Sequence, residues 1–222
     1  MITLFAGAAI ADAAPLTVGD DIHVLNGPGD TGGGEFTIVV DPTTSFVTFC
    51  LQMTEYINFT SAFNVDAIST FAISDSVANG GDASGKDYLS AQTAFLYTEF
   101  RQGTLSGYSY SGPNHVTSAN NLQYAIWMFE QELPTIASNP FVMLANSAVS
   151  SGTWSGIGNV RVMNLSWTNP SRNHEEAQDQ LMLVPGRDIT EVPEPASLIL
   201  FGSGVSLAAM ARRRQRRSAK NT

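Results

Sequence analysis

The sequence has a single cysteine, Cys50. With no second thiol an intramolecular disulfide is excluded, so the core must stand on burial alone. Histidine is almost as scarce: His23, His115 and His174 are scattered without metal-ligand spacing, and each reads as a solvated surface residue. No signature accompanies a Cys50-His115 pairing of the hydrolase kind. Only 14% of the residues are charged. Bases are rarest: of the 11 Lys and Arg, six lie in the last eleven positions, which leaves 5 against 20 acids before Arg212, a net charge of −15. A body this acidic repels phosphate backbones, which argues against nucleic acid as a partner. The acidic pairs Asp20-Asp21 and Glu175-Glu176 lack the alternating oxygen-ligand spacing of a calcium loop and read as solvated faces. The glycines at 27–34 lie between strand-like segments and not before a helix, so no phosphate cradle is expected. No metal and no cofactor are expected, nor is turnover catalysis: the chain reads as a protein that is not an enzyme.

What is present begins with a hydrophobic content of 43%, enough for one packed domain of ordinary size. Gly, Ser, Thr and Asn are plentiful, a composition more typical of exported β-rich proteins than of cytoplasmic enzymes. The apolar start Met1 to Ile10, followed by the small-x-small run Ala11-Asp12-Ala13, reads as a signal peptide over 1–14. No charged n-region precedes it, so the expectation is a partial one. At the other end, 196–211 is an uncharged run of sixteen residues between Val192-Pro193-Glu194-Pro195 and the basic cluster Arg212, Arg213, Arg214, Arg216, Arg217 and Lys220. The run is slightly short of the roughly 20 residues that span a bilayer, a deficit that snorkelling arginines cover. The positive-inside rule then places the arginines in the cytoplasm and the body outside.

This proline-acid-proline, apolar and basic succession resembles the PEP-CTERM sorting signal of Gram-negative, exopolysaccharide-producing bacteria. The resemblance implies an exosortase as partner, anchorage in the inner membrane before processing, and delivery to the cell surface or extracellular matrix. The sorting tail is assigned to 189–222 and the extracellular body to 15–188.

Within the body, clusters of turn formers at 27–34, 79–85 and 106–113 separate segments of different period. Alternation or β-branched and aromatic residues predict strands at 35–40, 46–51, 64–74, 160–167 and 180–184. Helical spacing predicts helices at 90–102, at 120–133 on the stripe Leu122, Ala125, Ile126, Phe129 and Leu133, and at 141–149. The expected fold class is α+β: sandwich- or barrel-like strands with an inserted subdomain of two or three helices, plus a C-terminal transmembrane helix.

Cys50 ends an apolar strand in Val47-Thr48-Phe49-Cys50-Leu51-Gln52, and the second helix reads Asn121-Leu122-Gln123-Tyr124-Ala125-Ile126-Trp127. On residue type alone, Cys50 is a small buried hydrophobe, and Gln123 fits the third position of a capping box opened by Asn120. Together, however, the two motifs resemble the thioester domain of bacterial surface adhesins. The resemblance covers about 46–133 and implies an internal thioester between Cys50 and Gln123, open to attack by a surface amine. Such an acyl group survives only where water is kept away, a task suited to Phe49, Tyr124 and Trp127. The resulting expectation is an adhesion protein that attaches covalently, once, to a target amine. Its alternative is a non-covalent structural component of the exopolysaccharide or biofilm matrix, with a polysaccharide as the target.

Overall fold

The computed structural model describes residues 16–185 apart from Thr31, Ser74, Asp75 and Asn173. The expected signal peptide 1–14, the Val192 to Pro195 motif, the apolar run 196–211 and the basic cluster from Arg212 lie outside the described residues. Among the described residues, no helix is long and apolar enough to cross a membrane.

The described residues form eight strands and three α-helices in the order β1 (Asp21–Asn26), β2 (Phe36–Asp41), β3 (Thr44–Thr48), β4 (Ala62–Ser69), β5 (Phe71–Ala72), β6 (Asp87–Tyr88), α1 (Ala91–Arg101), α2 (His115–Phe129), α3 (Pro140–Ser150), β7 (Val160–Trp167) and β8 (Glu176–Leu183). Six strands form one antiparallel sheet in the order β3-β2-β1-β4-β7-β8, and β5 and β6 form a small second one. The edges of the large sheet meet. Past β3 the chain runs beside β8, with Leu51 N–H donating to Asp179 O at 3.1 Å and Leu181 N–H to Phe49 O at 3.0 Å. The architecture is therefore the expected α+β class in barrel-like form, and not two stacked sheets. Register shifts at Val39/Asp41, Val65/Ala67 and Met163/Leu165 supply the local twist that lets six strands curl round.

Alternation fills the ring. Ile22 and Val24 of β1, Phe36 and Ile38 of β2, Phe63 and Val65 of β4, and Met163, Leu165 and Trp167 of β7 share one core cluster. The opposite face of β7 turns Val160 and Val162 to the helices, where they meet Leu96, Tyr97 and Phe100 of α1, Leu122 and Ile126 of α2, and Phe141 of α3. Because both its faces are covered, β7 is buried along nearly its whole length, polar Asn164 and Ser166 included.

Caps fix two helices. Ser90 accepts from Thr93 N–H to open α1, and Asn139 accepts from Phe141 N–H and Val142 N–H to open α3, with Pro140 in the first turn. Helix α2 begins at His115, five residues before Asn120, so Asn120 and Gln123 sit in mid-helix and the capping-box reading of Gln123 does not hold. It also ends earlier than expected, at Phe129, because Gln131 adopts φ 61° and turns the chain before Pro134 is reached.

Candidate functional site

Cys50 lies just past β3, where the chain bridges to Gln180 of β8. A buried polar network holds that position: Gln178 Nε2 donates to Gln52 O at 2.7 Å, Asp179 N–H donates to Gln52 Oε1 at 3.0 Å, and Gln52 Nε2 donates to Ile73 O. The Asp179 carboxylate accepts from Ile73 N–H, Asn164 Nδ2 and Leu165 N–H at 2.9, 2.8 and 3.1 Å. This network fixes the backbone on which the thiol stands.

Helix α2 sends Gln123 to the same point. The Cys50 thiol donates to Gln123 Oε1 at 3.3 Å, and Gln123 Nε2 donates to Cys50 O at 2.8 Å. A third contact comes from the glycine-rich segment, where Gly34 N–H donates to Gln123 Oε1 at 3.0 Å. Both Cys50 and Gln123 have zero exposure. The amide is thus oriented at each end, oxygen toward the thiol and nitrogen away to a carbonyl.

Burial pushes the Cys50 thiol well above its ordinary value of 9.0, because a thiolate in this shell has no water. The Trp127 indole and the Gly34 N–H oppose that shift without cancelling it. Trp127 Nε1 is itself buried with no hydrogen-bond partner, so its pull on the sulfur is electrostatic and not a hydrogen bond of regular geometry. The neutral thiol is therefore favoured over the thiolate at this position.

The three shielding residues expected from sequence are placed differently. Trp127, 2% exposed, belongs to the same core cluster as Cys50. Phe49 turns the other way along the strand, into the helical cluster, with its ring 5.0 Å from that of Phe100. Tyr124 is 37% exposed, with its ring 6.0 Å from that of Trp127. The cover comes instead from Gly33 and Gly34. A Cβ on Gly33 would fall 2.6 Å from the Trp127 ring and 3.0 Å from Cys50 Sγ, so only glycine lets the backbone lie this close.

The next residue begins a second cluster that sequence reasoning missed. Glu35 Oε2 accepts from Tyr108 OH at 2.6 Å and pairs with His115 Nε2 at 2.7 Å. His115 is therefore not the solvated residue expected; its side chain retains 20% exposure against the carboxylate. Burial first, then the hydrogen bond to Glu35, pushes the Tyr108 phenol above its ordinary range, so it stays a donor. Glu35 precedes Tyr108 by 73 positions and His115 by 80, too far for a local pattern to join it to them. His23 and His174 are exposed, as are Glu175 and Glu176. Among the described residues, no group of three or more His, Cys, Asp or Glu is placed to hold a metal ion.

Comparison with known proteins bears on the other end of the chain. No curated protein and no solved structure matches. Residues 191–217 match the PEP-CTERM protein-sorting motif, a span that takes in Val192, Pro193, Glu194, Pro195 and Arg212 to Arg217. The chain carries a PEP-CTERM sorting motif, and that motif implies an exported, membrane-anchored precursor that an exosortase processes and sorts to the cell surface.

Proposed function

We propose that the body of this exported protein attaches covalently to an amine on a target surface through an internal thioester between Cys50 and Gln123. The observation that carries the reading is the approach of the chain's single thiol to a wholly buried carboxamide, 3.3 Å from Cys50 Sγ to Gln123 Oε1. In the closing step Sγ attacks the Gln123 carboxamide carbon, the S–C bond forms, the C–Nε2 bond breaks, and the thiol proton leaves with the nitrogen as ammonia. A target amine then attacks the same carbon, forming an amide and returning the thiol. Each molecule acts once, which makes this attachment chemistry and not turnover. The absence of bulk water around both groups supports the reading, since a thioester in water hydrolyses.

Intact mass of the exported protein tests it. The expected result is a deficit of one ammonia, about 17 Da, that disappears in Cys50→Ala and is replaced by a covalent adduct at Gln123 after methylamine treatment. Full sequence mass with a free, alkylatable Cys50 overturns the reading. That outcome favours a second one, a non-covalent structural component of the extracellular matrix. The observation behind it is that the pair is already satisfied as thiol and amide, both hydrogen-bonded, with ionisation of the thiol disfavoured.

A further inference from the structure

We propose that the backbone N–H of Gly34 is the oxyanion donor of the acyl transfer at Gln123, and that Glu35 is the positioning residue that holds it there. The inference rests on the thioester reading and adds the group that stabilises its tetrahedral states.

Attack on the Gln123 carbon, by Sγ in one step and by a target amine in the other, moves negative charge onto Oε1. Two donors reach that oxygen: the Cys50 thiol at 3.3 Å and Gly34 N–H at 3.0 Å. The thiol cannot serve through the reaction, because its proton departs with Nε2 as ammonia while the S–C bond forms. Gly34 N–H keeps its proton throughout. In a site without bulk water, a donor already aimed at the developing charge needs no reorganisation when the charge appears.

The strap that carries this N–H is built for close approach. Gly33 has no room for a Cβ between Trp127 and Cys50 Sγ, and Gly34 sits at φ +141°, where side chains are strained. Glycine at both positions leaves the strap without side chains of its own, and the next residue anchors it through backbone and side chain alike, Glu35 N–H donating to Pro28 O at 3.0 Å. Its carboxylate takes the Tyr108 hydroxyl and the His115 ring nitrogen, and His115 lies on α2, the helix that bears Gln123. Tyr108 is itself wedged edge-on to Phe100, ring centroids 5.0 Å apart, and 4.7 Å from the ring of Tyr110. On the far side of the strap Asp30 N–H donates to Asn120 Oδ1, again on α2, at 2.9 Å. The N–H and the amide it must meet are thereby referred to one helix.

The test follows full-length chains by intact mass after cell-free synthesis, measuring how fast each loses ammonia. Glu35→Ala should cyclise roughly tenfold or more slowly than wild type. Glu35→Gln, which keeps an oxygen acceptor for Tyr108 and His115, should recover most of the rate, and Tyr108→Phe should fall between. Circular dichroism should be unchanged in all three; Tyr108→Phe, the mildest change, carries the test if Glu35→Ala does not fold. Wild-type speed in Glu35→Ala, or in Tyr108→Phe where that variant carries the test, overturns the proposal, as does a Glu35→Gln chain as slow as Glu35→Ala. If the wild-type chain never loses ammonia, the thioester reading fails and the donor role falls with it. Iodoacetamide labelling of native Cys50 then still reads the strap: faster labelling in Glu35→Ala supports its being held by Glu35, and equal rates overturn that too.

Discussion

Cys50 is a thiol whose environment disfavours its anion. In the unfolded chain it ionises around its ordinary value of 9.0, whereas in the folded chain burial raises that value, with the negative charge of Glu132 acting in the same direction. Below about pH 9 both states hold the proton, and the group leaves stability unchanged. Above it the unfolded chain loses the proton first, so stability falls as pH rises. The phenols of Tyr97, Tyr108 and Tyr110 are raised as well and act in the same sense, but they are common to wild type and Cys50→Ala and cancel between the two. Urea denaturation from pH 8 to 10 is therefore expected to show a steeper loss for the thiol form than for Cys50→Ala. A chain closed as the thioester has no proton to lose and should run parallel to the alanine variant. A parallel course for a preparation that mass spectrometry shows to be the free thiol would mean that the sulfur is better solvated than its zero exposure implies.

At the scale of elements, the site depends on the seam where the two edge strands meet. Tyr97 of α1 spans it, its hydroxyl lying 2.9 Å from Val47 O on the β3 side and 3.1 Å from Leu181 O on β8. Neither carbonyl depends on that hydroxyl alone, since Arg101 Nη1 also donates to Val47 O and Thr48 Oγ1 to Leu181 O. Tyr97→Phe should therefore cost about 1 kcal/mol and no more, the ordinary net worth of a hydrogen bond whose acceptors stay satisfied. A lowered urea midpoint with an unchanged slope would register it. A loss several times larger would mean that the hydroxyl alone keeps the ring closed. Little of this seam is legible in the sequence, because it pairs residues some 130 positions apart that carry no mutual signal. Strand β7 is legible for the opposite reason: Val160 and Val162 on one face and Met163, Leu165 and Trp167 on the other mark it as a strand, and its bounds fall where they are predicted. Strand β1 escapes notice because only Ile22 and Val24 face inward, between exposed Asp21 and His23. Helix α2 declares its apolar stripe but hides its start, where Asn114 makes no side-chain cap. Cys50 and Gln123 stand out by residue type within two compact motifs, while the strap and its Glu35 clamp come together only through the fold.

For the whole molecule the decisive quantity is the imbalance of charge. Before Arg212 the chain has 20 acids and 5 bases, and no arrangement of its surface can make so uneven a set neutral. A field of that sign draws cationic groups toward the body and turns anionic ones away, and it acts on encounter more than on the chemical step. For the covalent attachment proposed above, the consequence is a preference among amines. Lysine side chains on basic proteins should be captured faster than those on acidic proteins of similar size, although the attacking nitrogen is the same. The comparison is a competition between a lysine-rich and an acidic acceptor, each labelled and scored by covalent adduct at Gln123. At about 10 mM salt, where screening extends over roughly 30 Å, the basic acceptor should lead. At about 1 M, where it shrinks to roughly 3 Å, the lead should largely vanish. A preference that survives high salt would point to a docking surface of defined shape, and one that favours the acidic acceptor would remove long-range attraction from the account of how this protein finds its target.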